Sequence, residues 1–523
     1  MPEKLNLSNK DIKQIQYLGK TVKDLENQLA VFEKGPSFLD MDRPATVGDG
    51  IRKLDEGEVM DMVDAYEAAA KAKTMVKFIP ASGAATRMFK NLFGWRSDRG
   101  GVMLNELREQ AGAGDEEASF MLEFVENLEK FAFWPALEQS LVSSGVDVAE
   151  KLRAGDYTEV VDHLLYEDPG LGYGSLPKGL LLFHQYADRA RTPFEEHLVE
   201  AADYARSPDN RCRLHFTTSP EHDARFKHLL DTVRAEYEEL YKTGYEVDFS
   251  NQDHATDTIA ATPDNQPFRD EDDSLFFRPG GHGALIHNLD AIDADILFIN
   301  NIDNVVMDRE KPERGKWKKV LAGLLVSVQS RIFHYMGTLS GADPSDAAVK
   351  EAYDFTVEYL GETRSLPGDK NKALDFLRDK MDRPLRVCGM VLNLGDPGGA
   401  PFWIREKDGG MSLQIVESAQ VNSDDERQKD IFRSSTHFNP VDIACAVRDW
   451  RGEKYDLRRF VDQEAVFISE KSKNGRPLKA LELPGLWNGS MAGWNTLFVD
   501  VPVVAFHPVK TVNDLLKESH QPV

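Results

Sequence analysis

The chain has 523 residues, of which 41% are hydrophobic, so it is long enough to bury a full core in one large domain or in several. A formal net charge of −25, from 88 acidic and 63 basic residues, argues against nucleic acid and against an anionic membrane surface as partners. Three widely spaced cysteines predict neither a disulfide framework nor a zinc site, and no apolar run reaches the length of a membrane span. We therefore expect a cytoplasmic protein.

The first 72 residues predict a helical N-terminal extension that carries no visible chemistry. Ser8 is placed to cap a helix that continues through Leu25, and a further helix is expected from Val59 to Ala72. A segment rich in Gly, Pro and Asp, residues 35–50, separates them. We interpret residues 1–72 as a packing or oligomer-contact extension of the domain that follows, residues 73–523.

The first predicted strand, Met75 to Ile79, runs into a loop of small residues and then into a helix. This order presents backbone N–H groups and the positive end of a helix dipole to an anion such as phosphate. Arg87 adds a permanent cation whose planar donor fork matches phosphate oxygens. An ordinary strand-to-helix turn with a surface arginine is the alternative. The candidate anion-binding residues of the loop are Ser82, Gly83, Ala84, Ala85 and Thr86.

Residues 91–170 have a helical, acidic pattern, which we interpret as an insertion. The loop after them places Lys178 between a proline and a glycine, ahead of a strand predicted at Leu180 to Phe183. A lysine at this point can reach a phosphate as a point charge, although most loop lysines are simply solvated.

Strands and helices alternate from Met75 to Val305, with further strands predicted at 214–218, 245–249 and 296–299. Such alternation is typical of an α/β fold with a doubly wound, mostly parallel sheet. Helical patterns then predict a second insertion, about residues 306–382, and strands dominate the remainder of the chain.

A glycine-rich turn precedes the strand at 296–299. Gly281 and Gly283, with His282 between them, let the backbone take positive φ and approach a flat or anionic ligand closely. A short amphipathic helix with Leu285 and Leu289 on one face follows. The turn is therefore a candidate ligand contact, although a glycine-rich loop on its own is a weak signal.

The strand at 296–299 delivers Asp303 and Asn304 just past its carboxyl end. Ligands bind at this edge in open α/β sheets. A carboxylate there suits Mg²⁺, which takes one or two protein oxygens and completes its shell with phosphate and water. The alternative is that Asp303 only caps a turn.

Taken in order, these elements resemble the motifs of the UDP-sugar pyrophosphorylases, meaning the UDP-glucose and UDP-N-acetylglucosamine enzymes, which have a GT-A-like nucleotidyltransferase fold. The chain looks closest to an uncharacterised bacterial family distantly related to them. Residues 82–88, SGAATRM, resemble the nucleotide loop G-G-x-G-T-R-L/M. Residues 177–179 resemble a P-K-G element, and residues 279–285 resemble the glycine-rich segment that holds uracil and ribose.

Three further elements extend the resemblance to most of the chain, residues 75–516. Asp303-Asn304 is similar to the strand-end D-N whose aspartate binds Mg²⁺. Residues 415–417, IVE, resemble a V-V-E stretch that contacts sugar hydroxyls. Residues 506–516 resemble F-x-P-V-K-T-x-x-D-L-L, whose lysine reaches the phosphates.

The resemblance implies a GT-A/Rossmann-like mixed, mostly parallel sheet and a nucleotidyltransferase that moves a nucleotidyl group, UMP from UTP, to a sugar-1-phosphate and releases pyrophosphate. It implies Mg²⁺ as the cofactor and a nucleoside triphosphate and a sugar-1-phosphate as the partners. We read His282 as a positional residue, because a phosphate monoester dianion needs no deprotonation before attack. Asn439 has two interpretations, a contact with the sugar or a structural role in a turn. The residues implied are catalytic Arg87, Lys178 and Lys510; nucleotide-binding Ser82, Gly83, Ala84, Ala85, Thr86, Gly281, His282 and Gly283; sugar-binding Glu417 and Asn439; and the metal ligand Asp303.

The sequence also departs from the family's pattern. Ser82 and Ala85 stand where the family has glycines, so we expect the loop to hold phosphates less closely. The helical block before Lys178 is larger than usual, and we expect the C-terminal left-handed β-helix of these enzymes to be missing. The altered loop keeps open a catalytically altered protein that binds a nucleotide or nucleotide sugar. A GT-A-type glycosyltransferase is a third alternative, against which the triphosphate-type Thr86-Arg87 pair counts.

Overall fold

The computed structural model describes residues 5, 7–98, 102–395 and 398–522 and shows a mixed α/β protein. Its strands lie both in the predicted positions and in shorter pieces between them. They are β1 Met41–Pro44, β2 Thr46–Val47, β3 Gly50–Arg52, β4 Met75–Pro80, β5 His184–Gln185, β6 Ala190–Arg191, β7 Arg211–Thr217, β8 Gly244–Ser250, β9 Thr258–Ala261, β10 Phe277–Arg278, β11 Ile296–Asn300, β12 Leu385–Leu392, β13 Ala400–Arg405, β14 Met411–Val416, β15 His437–Phe438, β16 Asp442–Ala446, β17 Phe467–Lys473, β18 Arg476–Glu482 and β19 Asn495–Asp500.

The helices vary from single turns to a helix of 29 residues. Within the described residues, no helix combines the length and the apolarity that crossing a bilayer requires. The cytoplasmic location stays a prediction. The α-helices are α1 Asn9–Tyr17, α2 Val22–Lys34, α3 Glu56–Ala69, α4 Lys90–Asp98, α5 Leu104–Gly112, α6 Glu116–Glu126, α7 Trp134–Ser143, α8 Val148–Ala154, α9 Thr158–Leu165, α10 Pro193–Tyr204, α11 Asp223–Tyr241, α12 Ile286–Ala291, α13 Lys311–Leu339, α14 Asp346–Leu360, α15 Lys370–Met381 and α16 Glu426–Arg433.

The chain divides into two compact units, each made of three separate segments of sequence. Unit 1 comprises Met1–Phe78, Ser250–Ile299 and Lys318–Val503, and unit 2 comprises Ile79–Phe249, Asn300–Trp317 and Val504–Val523.

The first 72 residues contain strands as well as helices. Ser8 caps α1 through a reciprocal pair of hydrogen bonds with Asp11, as predicted. The helix does not continue to Leu25, because Gly19 takes φ +69° and breaks it, and α2 begins three residues later. Strands β1 to β3 then join sheets of unit 1, so the segment is not purely helical. Its separation from a domain at 73–523 stays a prediction.

Unit 1 is built on a mixed, mostly parallel sheet with the order β2-β3-β19-β12-β16-β11-β4. The pairs β2 with β3, β3 with β19, β19 with β12 and β11 with β4 are parallel, whereas β16 is antiparallel to β12. Strand β11 is apolar and wholly buried, as expected of a strand with both faces covered. The predicted α/β class with a mixed, mostly parallel sheet is confirmed. Strand β15 pairs antiparallel with β12, and unit 1 also contains two antiparallel sheets, β1-β13-β14 and β10-β9-β18-β17.

Unit 2 contains the neighbouring strands β7 and β8, the hairpin β5-β6 and helices α4 to α11. The segment predicted as a helical insertion, residues 91–170, consists of α4 to α9 in its described part; residues 99–101 lie outside that part. The apolar faces of these helices form one cluster that includes Ala85, Leu176, Val305 and Val509. Segments far apart in sequence therefore share the core of this unit.

The strand predicted at Leu180 to Phe183 is wrong. Residues 178–180 form a turn of 3₁₀ helix, and Leu181 and Phe183 are buried in the apolar cluster of unit 2 without joining a ladder. Gly179 explains the turn, because a Cβ there would lie 2.9 Å from the Phe226 ring and 3.2 Å from Ile302. An apolar run of four residues fits a strand and a buried turn equally well.

Candidate functional site

Four segments of unit 2 that are far apart in sequence meet in one ring of contacts. The Ala85 N–H donates to the Leu176 carbonyl at 2.8 Å, which joins the loop after β4 to the loop that carries Lys178. The Lys178 Nζ donates to Asp303 Oδ2 at 2.5 Å. The Val509 N–H donates to the Asp303 carbonyl at 3.2 Å, which brings in the C-terminal segment. That segment returns to the first loop, because the Val512 N–H donates to the Met88 carbonyl at 3.1 Å.

Lys178 lies at the centre of this ring. Besides Asp303 Oδ2, its Nζ donates to the Val509 carbonyl oxygen at 2.5 Å. The side chains of Lys178 and Asp303 are 16% and 17% exposed, so the pair is largely shielded but still reachable. An ammonium has three N–H donors, and two are used here. One donor is left for an oxygen of a ligand.

Asn304 anchors the C-terminal segment beside Asp303. Its Oδ1 accepts the His507 N–H at 3.1 Å and an Arg314 Nη1–H at 3.0 Å. Arg314 is almost fully buried, also donates to the Ala505 carbonyl at 3.1 Å, and pairs with Glu200 at 3.0 Å. The pair fixes the backbone from which Asp303 and Val509 project. Sequence reasoning missed Arg314 and Glu200, because each lies among other charged residues of its helix and no pattern marks it as buried.

The loop after β4 is open to solvent at the positions that the resemblance assigns to a nucleotide. Ser82, Gly83, Ala84 and Thr86 are exposed, and a Cβ at Gly83 would meet nothing within 4 Å. Ala85 is buried and its amide is engaged by Leu176, so this amide is not available to a phosphate.

The replaced glycines do not strain this loop. None of residues 82–88 has a positive φ, so Ser82 and Ala85 adopt ordinary backbone conformations. The loop enters a 3₁₀ turn, Ala85–Arg87, before α4 begins. Arg87 is exposed and forms no ion pair with any residue that the structure describes. It is therefore a cation whose donor fork is available to a ligand.

Lys510 follows Val509 directly, on the segment that contacts Asp303. Its backbone N–H donates to Asp514 Oδ2 at 2.8 Å, and Thr511 and Asp514 form a reciprocal cap of the next turn. The ring of contacts thus delivers the Lys510 backbone to Asp303 and Met88. Its catalytic role stays a prediction.

Asp303 offers a metal ion one carboxylate. In the described part of the chain, no group of three or more His, Cys, Asp and Glu side chains could hold a metal. One of the two Asp303 oxygens also faces Lys178. Mg²⁺ tolerates such a sparse protein site when phosphates and water supply the remaining oxygens. The residues therefore fit a Mg²⁺ ion that arrives with a nucleotide.

The glycine-rich turn lies in unit 1, where Gly281 and Gly283 differ in their surroundings. Gly281 has φ +76°, and the nearest atom to a Cβ there would be a carboxylate oxygen of Glu482 at 3.6 Å. A Cβ on Gly283 would lie 2.1 Å from the Pro484 carbonyl oxygen. The glycine at position 283 is thus required by the packing of the chain itself, and its contact with a nucleotide stays a prediction.

His282 and Glu417 lie together in unit 1, although they are 135 residues apart in the sequence. The Leu486 N–H donates to His282 Nδ1 at 3.2 Å, the ring packs against Trp487 with centroids 4.4 Å apart, and Nε2 lies 3.9 Å from Glu417 Oε1. Burial lowers the pKa of His282 to about 4 and raises the pKa of Glu417. The histidine is therefore neutral near pH 7, and the Leu486 bond assigns its proton to Nε2.

Asn439 is buried and shapes a turn. Its Oδ1 accepts the Val441 N–H at 3.1 Å, and Val441 takes φ +59°. This is the turn geometry that asparagine side chains favour. Its Nδ2 has no hydrogen-bond partner among the described residues, so sugar binding stays a prediction beside the observed turn.

A family model matches residues 8–521 of the chain and is described as a domain of unknown function, DUF4301. The chain belongs to the DUF4301 family. This DUF4301 sequence matches no curated protein.

The solved structures similar to this DUF4301 chain include UDP-sugar pyrophosphorylases. The UDP-glucose phosphorylase of Trypanosoma brucei is 13% identical over 98% of this chain and 80% of its own, with a TM-score of 0.43. A Leishmania major UDP-glucose pyrophosphorylase mutant in complex with UDP-glucose is 12% identical over 99% and 82%, with a TM-score of 0.44. The UDP-N-acetylglucosamine pyrophosphorylase of T. brucei with an inhibitor is 12% identical over 94% and 74%, also at 0.44.

Proposed function

We propose that this DUF4301 protein is a nucleotidyltransferase that transfers UMP from UTP to a sugar-1-phosphate and releases pyrophosphate. The observation that carries this proposal is the ring of contacts in unit 2. It brings the exposed loop of Arg87, the Lys178 ammonium with one N–H left for a ligand, and the carboxylate of Asp303 onto one network of hydrogen bonds. The order of these elements along the chain is the order expected from a GT-A-type fold.

The reaction needs charge neutralisation and alignment, and no covalent intermediate. A non-bridging oxygen of the sugar-1-phosphate attacks the α-phosphorus of UTP. The bond from that phosphorus to the oxygen bridging to the β-phosphate breaks, and the electron pair leaves with pyrophosphate. The nucleophile is an anion without a proton to remove, so the protein must hold mutually repelling phosphates in line.

In this mechanism Arg87 and the amides of residues 82–84 hold the β- and γ-phosphates, with the Thr86 hydroxyl beside them. Lys178 uses its third N–H on the transferred phosphate, and Lys510 offsets charge on the attacking group. Fixed cations of this kind act on charge that develops in the transition state. Asp303 would hold a Mg²⁺ ion, which supplies charge neutralisation at the phosphates when bound.

The candidate residues of unit 1 have proposed roles of their own. The backbone at Gly281 and Gly283 would contact the uracil and ribose, because Gly281 takes a positive φ and neither glycine has a side chain to shield its main-chain groups. Neutral His282 would donate from Nε2 to a phosphate or hydroxyl oxygen, which is a positional role. Glu417 would accept hydrogen bonds from sugar hydroxyls, with Asn439 as a second contact.

A pyrophosphate-release assay tests the function directly. The purified full chain is mixed with Mg²⁺, each of the four nucleoside triphosphates, and a panel of sugar-1-phosphates. We expect pyrophosphate with UTP and at least one sugar-1-phosphate, and none after Mg²⁺ is chelated. UTP binding without turnover on any sugar would instead identify a nucleotide-binding protein. Turnover of a finished nucleotide sugar, without triphosphate, would identify a glycosyltransferase.

Asp303→Asn is the matching variant of the protein. It keeps the shape of the side chain and its contact with Lys178 while removing the charge that would bind Mg²⁺. We expect turnover to fall by about 10²-fold or more, as for loss of a metal-binding charge. Asp156→Asn is the control, because Asp156 pairs with Lys151 at 2.9 Å elsewhere in unit 2 and lies outside the ring of contacts. Equal activity of the two variants would remove Asp303 from the site.

A further inference from the structure

A cavity of about 630 Å³ lies within unit 1 and plays no part in the proposed reaction. Its walls come from the loop after α14, from the C-terminal part of α15 and the turn after it, and from the hairpin β13-β14. The segments 455–462 and 492–494 complete them. Ligand sites in proteins fall between roughly 300 and 1,000 Å³. Size alone therefore permits a metabolite of the dimensions of a phosphorylated sugar.

Lys380, in the last turn of α15, is the unusual residue of this cavity. It is 8% exposed and forms no ion pair or hydrogen bond through its ammonium with any residue that the structure describes. A buried ammonium without partners is costly, and natural proteins retain such a group rarely. A binding role explains its retention better than packing does, because a methionine would fill the same space without the cost.

Two further side chains that line the cavity, one buried and one exposed, have donors that no described residue accepts from. The indole Nε1–H of Trp494 is buried and has no hydrogen-bond partner among the described residues. Arg459 is exposed and forms no ion pair within the described part of the chain. Two buried donors without acceptors among the described residues, with the Arg459 guanidinium in the same lining, indicate a ligand with several acceptor oxygens.

The other charged groups of the cavity limit the charge of that ligand. The Arg364 guanidinium is engaged by Glu362, with contacts of 2.9 and 2.7 Å. Arg383 is engaged by Asp379 at 2.7 Å. Glu406 also lines the cavity; its Oε1 accepts a hydrogen bond from Gln414 at 3.1 Å, and its Oε2 accepts none from a described residue. The remaining carboxylates that line the cavity are Asp382, Asp408 and Asp462.

A cavity with many carboxylates does not suit a highly charged ligand such as a triphosphate. It suits one anionic group, placed at the unpaired donors, with neutral hydroxyls that donate to Glu406. We propose that this cavity binds a small polyhydroxylated anion, a molecule with one carboxylate or phosphate group and several hydroxyls, which Lys380 holds through the anionic group. Nothing in the proposed transferase reaction requires this site.

The protonation of Lys380 is consistent with this role. Burial lowers the pKa of its amine to about 8, while Glu362 and Glu406 oppose that shift and Arg383 and Arg364 add to it. The amine is therefore mostly charged at pH 7 and mostly neutral above pH 9. We expect affinity for the anion to fall as the pH rises through about 8. The same property makes this amine more reactive than an ordinary lysine at pH 8.

Protection of Lys380 from an amine-acylating reagent tests the site with defined probes, whatever its natural ligand is. The full chain is acylated at pH 8 with gluconate, glucose 6-phosphate, glucose or inorganic phosphate present, and labelling is read peptide by peptide. We expect either polyhydroxylated anion to slow labelling of Lys380 at least tenfold, and the comparison of the two identifies the anionic group. Glucose should protect weakly. Lys372, exposed on the same helix, should label equally in every sample. Equal labelling of Lys380 in all samples would overturn the proposal.

Two variants give a second, independent readout by calorimetric titration of the protecting anion. Lys380→Met should weaken binding by roughly 10- to 100-fold, the usual effect of losing a charged hydrogen bond. Trp494→Phe, which removes one N–H and keeps an aromatic ring, should weaken it less. Lys372→Met is the control and should bind like the parent chain. Unchanged affinity in Lys380→Met would refute the assignment, and pyrophosphate release should be unaffected in all three variants.

Discussion

Lys178→Met is the substitution that separates the structural role of the ring of contacts from the catalytic role proposed for it. The change keeps most of the side-chain volume and removes the ammonium. It leaves the Asp303 carboxylate, which is 17% exposed, without its 2.5 Å partner, and it leaves the Val509 carbonyl without a donor. Breaking a fully buried ion pair costs about 3–5 kcal/mol, and an exposed pair contributes about 1 kcal/mol or less. A largely shielded pair lies between these, at about 2–4 kcal/mol of unfolding free energy.

The effect on catalysis should exceed what this loss of stability explains. If the third N–H of Lys178 stabilises the transferred phosphate, kcat should fall by about 10²- to 10³-fold while the protein remains folded at 25 °C. Urea unfolding gives the stability change, and pyrophosphate release gives the rate. Lys151→Met is the control, because its ion pairs with Asp156 and Glu159 lie in the same unit but outside the ring. Its side chain is 31% exposed, so we expect little change in unfolding free energy and normal turnover.

A double-mutant cycle with Asp303→Asn refines the test. The two groups touch, so their effects on unfolding free energy should be non-additive by about 1–3 kcal/mol. A folded Lys178→Met variant with normal kcat would refute the catalytic role and leave Lys178 as a structural clamp. Additive stability effects would refute the pairing itself.

Four further outcomes are expected. Arg87→Ala should weaken UTP binding by roughly 10-fold or more with little change in unfolding free energy, because this cation has no partner among the described residues; normal affinity in a titration would remove it from the site. Lys510→Ala should lower kcat by about 10²-fold while UTP affinity is kept; normal turnover would contradict the role assigned to it. Gly283→Ala should reduce stability by about 1–3 kcal/mol, because its Cβ would collide with the Pro484 carbonyl; an unchanged urea midpoint would contradict this packing. Lys380→Met should raise the unfolding free energy by up to about 3 kcal/mol at pH 7 and by little near pH 10.5. Urea unfolding of the parent chain and the variant at both pH values measures this difference, and an equal effect at the two pH values would contradict it.

The sign of the Lys380 effect follows from linkage. The folded-state pKa is about 8, below the ordinary lysine value of 10.5, so the unfolded chain binds more protons between these two values. Stability from this group therefore rises as the pH rises from about 8 to 10.5, where the ammonium no longer has to be buried. Below pH 8 the cost is fully present. Methionine removes the cost, so its advantage is largest at neutral pH.

The fold class could be predicted from the sequence because the main strands are apolar runs of ordinary length. β11 appears within one residue of its predicted bounds, since a buried strand in a mixed sheet needs an unbroken apolar run. The run at 180–183 failed because four apolar residues give no periodicity that separates a strand from a buried turn. Short pieces such as β2 and β3 carry too few residues for any pattern.

The candidate site was predictable only in part, because sequence shows which residues are available and not which ones are already engaged. Ala85 is an example: it stands in the small-residue loop, yet its amide is taken by the Leu176 carbonyl. Gly283 is another, since its close neighbour is the Pro484 carbonyl of the same chain. A single sequence cannot distinguish a glycine that internal packing requires from a glycine that ligand binding requires.

Asp303 and Asn304, at the end of β11, have different surroundings. Asn304 turns inward, where Arg314 and the His507 N–H saturate its Oδ1 and hold the C-terminal segment in place. Asp303 keeps its carboxylate at Lys178, near solvent. Asn304 is therefore one of the groups that hold the segment carrying Lys510, beside the backbone contacts of that segment with Asp303 and Met88. Loss of the Asn304 amide should then lower turnover through Lys510, without any contact between Asn304 and substrate.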